Sequence, residues 1–328
     1  MSTVMVTGGA GFIGSHVCDM YLKLGWNVIA LDDLSTGQLS NLHAANLSAN
    51  FEFVNGDATD EALVGKLVSR CDLIVHLAAR IGLKLVIESP LKTLETNGKG
   101  TEAVLRHAAL RGVLTIIASS SEVYGLSEKF PSSEYDPISF GSPELGRWSY
   151  ASSKAYDESL ALAYHREREL PVIVVRFFNT VGPRQSSRYG MVVPRFVRQA
   201  LEGRPLTVYG DGRQTRCFGH VFDAIDGVTR LANDPRAIGK VFNIGNPHEI
   251  EIRELANIVL AATGSSSGIE WVPFSQAYGA GFEEIMRRVP DINRARDLVG
   301  FEPLRSVDTI VHDVIADQRR ELADAPLP

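Results

Sequence analysis

The N-terminal stretch Thr3-Val4-Met5-Val6-Thr7-Gly8-Gly9-Ala10-Gly11-Phe12-Ile13-Gly14 decides the fold. Its first four residues predict a short buried strand, and apolar residues at helical spacing from Ile13 onward predict a helix directly after the glycines. Gly8 permits a tight turn, Gly11 lets the backbone approach a pyrophosphate, and Gly14 allows the helix to pack closely on the strand. The helix N-terminus offers unpaired N–H groups to an anion, so Phe12 and Ile13 are expected to contact it as well. The stretch therefore predicts a dinucleotide site rather than a ligand-free glycine-rich turn.

Further strand-like runs follow this stretch and alternate with helical patterns. They are Asn27–Leu31, Phe51–Val54, Leu73–Leu77, Val113–Ala118 and Val172–Phe178. Such alternation predicts an α/β fold with a Rossmann-type, doubly wound parallel sheet. The helix-like Val221–Ala232 and the strand-like Lys240–Asn246 are expected to return to this sheet. We predict an NAD-binding domain of residues 1–178 plus about 218–246. Residues 179–217 and 247–328 are predicted to form a smaller C-terminal α/β lobe that binds a nucleotide sugar, with a frayed tail at 323–328.

Acidic residues follow the second and third predicted strands, at the edge where ligands of such sheets bind. Asp32 comes about 20 residues after the glycines, a position suited to the adenosine ribose hydroxyls. Its charge repels a 2′-phosphate, which favours NAD over NADP. The neighbouring Asp33 suits a helix or turn cap better. Asp57, followed by Ala58, can meet the adenine amino group or cap the next helix.

Two groups of residues near the later strands complete the predicted cofactor site. The fourth strand ends at Leu77, and the small residues Ala78 and Ala79 after it let a cofactor lie against backbone. Ser119, Ser120, Ser121 and Glu122 follow the fifth strand at the same sheet edge.

Tyr150 and Lys154 lie four residues apart at the start of a helical pattern, which places them one turn apart on one face. An ammonium near a phenol favours the phenolate and lowers the pKa of the tyrosine. A phenol with a lowered pKa is suited to removing a proton from an alcohol while a cofactor accepts the hydride. The pair therefore predicts oxidation of an alcohol.

The bulk composition excludes several classes of protein. The chain has 328 residues, 45% hydrophobic content and a net charge of −6. No basic face or run dominates, which argues against a nucleic-acid partner, and no apolar run approaches a membrane span. Cys18, Cys71 and Cys217 are too few and too scattered for a disulfide framework or a metal site, and free thiols favour the cytoplasm. The first predicted strand begins at Thr3, so we expect no signal peptide.

Arginines form the only notable concentration of positive charge in the second half of the chain. Guanidinium groups suit phosphates and carboxylates, although each of these residues can equally be a solvated surface arginine. The set comprises Arg184, Arg188, Arg213, Arg216, Arg287 and Arg288.

Together these motifs resemble the extended short-chain dehydrogenase/reductases that act on nucleotide sugars, over nearly the whole chain. The chain is most similar to the UDP-glucuronate decarboxylases, which include UDP-xylose synthases. The family likeness includes Arg176-Phe177-Phe178-Asn179, Gly182-Pro183-Arg184 and Arg288-Val289-Pro290-Asp291-Ile292. The decarboxylase likeness rests on Ser121-Glu122-Val123-Tyr124-Gly125, Arg147-Trp148-Ser149-Tyr150 and Tyr278-Gly279-Ala280-Gly281-Phe282. UDP-glucuronate 4-epimerases are also similar.

The resemblance implies that Tyr150 removes the proton of the sugar 4-hydroxyl while NAD takes the hydride from carbon 4. Lys154 would hold the phenolate and the ribose, and Ser120 would bond the oxygen. The resulting 4-ketone makes the substrate a β-keto acid, which loses carbon dioxide. Glu122 and Arg288, with Ser121 alongside, would manage the carboxylate and the reprotonation of carbon 5. The product would be the UDP-4-keto pentose or, after return of the hydride, UDP-xylose.

Glu122 decides between the alternatives. An epimerase needs neither Glu122 nor Arg288, so both favour the decarboxylase, whereas a structural Glu122 would favour the epimerase. A 4,6-dehydratase of this family carries Asp-Glu where this chain has Ser121-Glu122. A non-catalytic NAD sensor would not need Tyr150 and Lys154.

The resemblance also implies binding residues and an assembly. Asn97 would contact the cofactor, Asn179 and Arg216 the diphosphate with Arg184 nearby, and Val192, Leu206 and Val208 the uracil. A homodimer would form through the helix of Tyr150, where Leu160, Leu162 and Tyr164 are apolar but equally suited to the core. The stretch Arg80–Glu88 departs from the decarboxylase pattern toward epimerase-like relatives.

Overall fold

The fold was analysed in a computed structural model that describes residues 1–188, 191–278 and 284–324. The strands are β1 Thr3–Thr7, β2 Asn27–Asp32, β3 Phe51–Asn55, β4 Leu73–His76, β5 Leu114–Ser120, β6 Val172–Phe177, β7 Thr180–Val181, β8 Leu206–Tyr209, β9 Thr215–Cys217, β10 Gly219–His220, β11 Lys240–Ile244, β12 Glu249–Glu251 and β13 Ile269–Val272. The helices are α1 Phe12–Lys23, α2 Glu61–Val68, α3 Leu83–Glu88, α4 Pro90–Ala109, α5 Ser149–Arg168, α6 Val192–Leu201, α7 Val221–Ala232, α8 Ile252–Thr263, α9 Phe274–Tyr278, α10 Asn293–Val299 and α11 Val307–Asp324.

Seven of the strands form one parallel sheet in the order β11-β6-β5-β4-β1-β2-β3. The chain starts at the centre, winds outward through β2 and β3, and then crosses to β4 on the other side of β1. This order confirms the predicted Rossmann-type fold, including the return of β11 to the sheet beside β6. The switch of direction between β1 and β4 opens a crevice at the carboxyl ends of these strands, where ligands of such sheets bind.

Helices cover both faces of the sheet, which explains why its strands read as nearly continuous apolar runs. Val17 of α1 and Val228 of α7 belong to the core on one face. Val64 of α2, Val104 of α4 and Ala161 of α5 belong to the core on the other face. The sheet is thus fixed from both sides, and the loops at its carboxyl edge are held by a rigid base.

A separate apolar core lies in the C-terminal half of the chain. Phe196 of α6, Leu255 of α8 and Ile310 of α11 pack there against Leu206 and Val208 of β8. This second core accords with the predicted second lobe, although the exact division of the chain into domains stays a prediction. Helix α11 continues to Asp324, so the predicted frayed tail is wrong at Ala323 and Asp324. The remainder of that tail, 325–328, lies outside the described residues.

Candidate active site

A cavity of about 490 Å³ lies along the carboxyl edge of the sheet and extends toward the second core. Its volume is within the range of small-molecule sites. Predicted cofactor residues that line it are Gly8, Gly11, Phe12, Ile13, Gly14, Asp32, Asp57, Ala58, Leu77, Ala78, Ala79 and Ser119. Predicted catalytic residues that line it are Ser120, Ser121, Glu122, Tyr150, Lys154 and Arg288. The structure therefore brings the predicted cofactor and catalytic residues into one cavity.

The glycine loop has no room for side chains, which is the condition for a pyrophosphate to approach the backbone. Gly8 has a φ of +70°, and a Cβ at this residue would lie 2.9 Å from the amide nitrogen of Ala78. A Cβ at Gly14 would lie 2.1 Å from the carbonyl oxygen of Gly8. Both glycines are therefore required by the close contact between loop, helix and β4. The N-terminus of α1 and the bare loop fit the phosphates of a dinucleotide.

Asp32 lines the cavity at the end of β2 and also organises the neighbouring loops. Its carboxylate accepts hydrogen bonds from the backbone N–H groups of Ala10 at 2.9 Å and Leu34 at 2.8 Å. Burial raises the pKa of Asp32, and the two N–H groups oppose that effect. Asp33 instead accepts from the backbone and the hydroxyl of Ser35, so it caps the turn as predicted.

Tyr150 and Lys154 lie one turn apart at the start of α5, as the spacing predicts. Tyr150 is hydrogen-bonded to Ser120, and burial together with the charge of Glu122 raises the pKa of the phenol. The amine of Lys154 donates to Oδ2 of Asp157 at 3.0 Å, and both side chains are buried. The prediction of a lowered phenol pKa is therefore wrong for the protein by itself, because burial is the largest effect on the phenol and the charges of Glu122 and Asp157 act in the same direction.

Glu122 lies between two arginines on the cavity wall near Tyr150. Its Oε1 accepts from Nη2 of Arg288 at 2.8 Å, and its Oε2 accepts from Nη2 of Arg147 at 3.2 Å. Burial by itself would raise the pKa of Glu122, but the charges of Arg288 and Arg147 hold it below its usual value. Glu122 is therefore ionised at neutral pH. Nη1 of Arg288 also reaches the hydroxyl of Ser121 at 3.5 Å.

The predicted substrate residues divide into those that reach the cavity and those that do not. Asn179 and Arg184 line it. Nδ2 of Asn179 donates to the carbonyl of Cys217 at 3.3 Å, and Nη2 of Arg184 donates to Asp19 at 2.8 Å. Arg216 pairs with Glu284 and is not among the described residues that line the cavity, although its charge affects Glu122.

The prediction that Leu206 and Val208 border the uracil is corrected for their side chains. Both are fully buried in the core of the second lobe, because the alternation of β8 points them inward and leaves Thr207 and Tyr209 on its other face. Val192 packs against the same core, and the neighbouring Met191 lines the cavity instead.

Other predicted residues lie away from the cavity. Asn97 is buried, accepts from the backbone N–H of Arg80 at 2.7 Å and donates to Ser153 at 2.9 Å, so it ties α4 to α5. Arg213 and Arg287 are exposed and pair with Asp211 and Glu249, and Arg188 is exposed too. These three fit the surface alternative. The predicted motif residues 279–282 lie outside the described residues.

Sequence reasoning missed two side chains at this site. It quoted Arg147 only as part of a motif, yet the residue is buried, pairs with Glu122 and stacks on Trp148, with 4.3 Å from its guanidinium carbon to the ring centre. Asp157 went unnoticed, although its position three residues after Lys154 puts both on one face of α5. That spacing could have indicated Asp157 from the sequence. For Arg147, the only indication in the sequence is its position about one turn before Tyr150.

The glycine loop, the acid at the end of β2 and the buried tyrosine and lysine at one cavity define a dinucleotide-dependent enzyme that oxidises an alcohol. The family model described as "NAD dependent epimerase/dehydratase family" matches residues 4–245. This chain belongs to that family, and its cofactor is NAD.

Curated relatives and solved structures extend this assignment. The UDP-N-acetyl-alpha-D-glucosaminuronate decarboxylase of Bacillus cytotoxicus is 42% identical over 91% of this chain and 92% of its own length. The UDP-glucuronic acid decarboxylase 1 of Danio rerio is 36% identical over 97% of this chain and 73% of its own length. The UDP-glucose 4-epimerase of Thermotoga maritima with UDP-glucose superposes with a TM-score of 0.88 at 28% identity, over 98% of this chain and 99% of that one.

Proposed function

We propose that this chain is a UDP-glucuronate decarboxylase that oxidises carbon 4 and then releases the carboxyl group as carbon dioxide. The observation that carries the proposal is Glu122 held between Arg147 and Arg288 on the wall of the cavity that contains Tyr150. A guanidinium pair suits a carboxylate, and an ionised acid beside it suits proton transfer. The decarboxylase names of the relatives in Bacillus cytotoxicus and Danio rerio support the same reaction.

Tyr150 is proposed to accept the proton of the sugar 4-hydroxyl, with Ser120 bonding the same oxygen. Bound NAD supplies a hydride acceptor for carbon 4. The carboxyl group is then β to a ketone, so the electrons of the breaking C–C bond pass into an enolate. Ser120 and Tyr150 are hydrogen-bonded to each other, and both would stabilise the enolate oxygen.

Arg288 is proposed to hold the substrate carboxylate. Its Nε is a buried donor without a hydrogen-bond partner in the part of the chain that the structure describes. Arg288 also lines the cavity, and a substrate carboxylate bound beside it would bring a second negative charge close to Glu122. That charge would raise the pKa of Glu122 from its lowered resting value and favour uptake of a proton. Glu122 could then protonate carbon 5 after carbon dioxide leaves.

The 2-acetamido analogue, UDP-N-acetylglucosaminuronate, is a second candidate substrate. The 42% identity to the Bacillus cytotoxicus decarboxylase favours it. The 4-epimerase alternative is supported by the similarity to the Thermotoga maritima epimerase fold. An epimerase of neutral UDP-hexoses has no use for the arrangement of Glu122 between two arginines.

The deciding experiment is incubation of the protein with NAD and either UDP-glucuronate or its 2-acetamido analogue, with mass and proton NMR analysis of the nucleotide products. Loss of one carbon dioxide from UDP-glucuronate supports the proposal, and the ratio of UDP-xylose to 4-keto pentose gives the fraction that is reduced. Loss of carbon dioxide from the analogue alone would identify the analogue as the substrate. An isomeric product of unchanged mass would establish the epimerase instead.

We further propose a cytoplasmic homodimer. Cys18, Cys71 and Cys217 are free and buried, which suits a reducing compartment. Within the described residues, no helix combines the length and apolarity needed to cross a membrane. The side chains of Leu160, Leu162 and Tyr164 pack against the core, which is the predicted alternative to a role in the dimer.

Helices α4 and α5 also carry exposed apolar side chains, which are Leu91 and Leu94 of α4 and Tyr156 of α5. A shared face of α4 and α5 would bury them. Sedimentation of the native protein and of Leu91→Asp tests this interface, because a dimer that uses it should dissociate in the variant.

A further inference from the structure

A buried chain of polar side chains runs from the strand beneath the glycine loop to the catalytic lysine. Its members are Thr7 of β1, His76 of β4, Thr101 of α4, and Asp157 and Lys154 of α5, and all five are at most 2% exposed. The proposed reaction uses only Lys154. Burying four further polar groups is unfavourable unless each is bonded, so the chain requires an explanation.

The direction of the hydrogen bonds follows from the donors available. Oγ1 of Thr7 accepts from the backbone N–H groups of Leu77 and Ala78, each at 3.2 Å, so its own proton goes to Nδ1 of His76 at 2.7 Å. Nε2 of His76 must then carry the ring proton, which it donates to Oγ1 of Thr101 at 3.2 Å. Burial and the charge of Lys154 lower the pKa of His76 to about 3, which agrees with a neutral ring.

Thr101 connects this series of polar side chains to Asp157, which pairs with Lys154. The hydroxyl of Thr101 and the ammonium of Lys154 both stabilise its charged form, while burial acts against it as the largest effect and raises the pKa of Asp157. Lys154 donates to Oδ2, and Oδ1 has no hydrogen-bond partner of ordinary geometry among the residues described. A buried carboxylate is unfavourable unless a positive charge is paired with it, and the charge that Asp157 faces is that of Lys154.

We propose that Asp157 is a positioning residue, which holds the amine of Lys154 and offsets its charge at Tyr150. The inference rests on the proposed function, since it assigns Asp157 to the same alcohol oxidation. Other charges face Tyr150 as well. Glu122 lies on the turn Ser121–Tyr124 and Arg288 on the segment before α10, and both act on the phenol together with Asp157. Glu158 is the neighbouring acid of Asp157, and it is engaged by Arg176.

Removing the charge at Asp157 should make the phenol of Tyr150 more acidic. Asp157→Asn keeps the side-chain size and leaves the charge of Lys154 without its counterion. A nearby negative charge raises the pKa of a phenol, so removing it lowers that pKa. We therefore expect the tyrosinate of Tyr150 to form at lower pH in the variant, with more phenolate at a given pH.

The test is an ultraviolet tyrosinate titration of the folded protein without substrate, with the Tyr150 step assigned by its loss in Tyr150→Phe. Asp226→Asn is the control, because Asp226 forms an exposed pair with Arg230 on α7 and should leave the step unchanged. Asp157→Ser removes the same charge with another shape and replaces Asp157→Asn if that variant does not fold. An unchanged midpoint in a folded Asp157 variant would overturn the inference.

Turnover supplies the second measurement. With the decarboxylase substrate, the acid limb of kcat/KM should move to lower pH in Asp157→Asn by the same amount as the titration, while the KM for the sugar nucleotide stays within about twofold of the wild type. A residue with a purely structural role would lower kcat at every pH without moving the limb. If no UDP-uronate is turned over, the proposed function fails, and the titration still decides the role of Asp157.

Discussion

Replacing Glu122 by Gln tests whether this residue transfers a proton or only holds two arginines. The structure gives it two charge-assisted hydrogen bonds, to Arg288 at 2.8 Å and to Arg147 at 3.2 Å. Each such bond contributes about 1.5–3 kcal/mol when buried. The amide of Gln keeps one acceptor, and a quarter of the Glu122 side chain is exposed to the cavity, where water can replace part of the loss. We expect a cost of about 1–2 kcal/mol, which lowers Tm by about 1.5–3 °C in a chain of this size.

Glu122→Gln should reduce the rate of catalysis far more than it reduces stability. Loss of a positioned acid or base typically slows a reaction by about 10²–10⁴-fold. Because Glu122 is proposed to act after carbon 4 is oxidised, Glu122→Gln should still form NADH in a single turnover with UDP-glucuronate while release of carbon dioxide falls by that factor.

The assay combines NADH absorbance with trapping of carbon dioxide, and the exposed Glu144→Gln is the matched control. Carbon dioxide release within about threefold of the wild type, in a variant with the expected Tm, would refute proton transfer by Glu122. Glu122 would then be a structural clamp.

Three further predictions follow from single features of the fold. Gly14→Ala should weaken NAD binding at least tenfold by calorimetry because its Cβ meets a backbone carbonyl, whereas Gly268→Ala, which opens into free space, should leave binding unchanged. His16 and His76 are buried and neutral, with pKa values lowered by burial to about 4 and about 3 from 6.5. The unfolded chain therefore binds more protons than the folded protein below pH 6.5. As the pH falls from 6.5 to about 4, the free energy of unfolding should decrease by about 1.4 kcal/mol per pH unit for each histidine. A free energy of unfolding that does not change with pH in urea titrations would contradict this. Arg288→Met should raise the Kd of UDP-glucuronate at least tenfold and leave that of UDP-glucose within threefold, because only the uronate has a carboxylate for this guanidinium.

The parts of the site that are local in sequence could be predicted from it. The glycine stretch lies between a strand and a helix, and Tyr150 and Lys154 are one helical turn apart, so their geometry follows from helix periodicity. The position of Asp32 follows from strand order in the same way.

Contacts between distant residues could not be derived from spacing. Arg288 meets Glu122 across 166 positions of sequence, and only the family resemblance indicated that the two act together. The sign of the Tyr150 pKa shift was missed for a similar reason. It depends mainly on the burial of the phenol and on the charge of Glu122, and burial of that degree is not visible in the sequence.

The burial of the aliphatic side chains of β8 could be predicted from the sequence. Leu206 and Val208 alternate with Thr207 and Tyr209, and this period-two pattern already indicates that the two aliphatic residues face a core. The burial of both side chains shows that an alternation pattern should be applied before a family role is assigned to a strand residue.

In the proposed reaction, the charged groups around Tyr150 explain how one phenol can serve two stages. Burial is the main cause of the raised pKa of the phenol in the resting protein, and the charges of Glu122 and Asp157 raise it further. Tyr150 is therefore protonated before substrate binds and cannot attack other groups as a free phenolate. Arg288 acts in the other direction, and it lines the cavity in which the substrate carboxylate is proposed to bind. If the substrate draws Glu122 toward its protonated form, one of the two anions that oppose phenolate formation is removed at the moment when the base is needed. The arrangement of charge thus links recognition of the carboxylate to activation of the tyrosine.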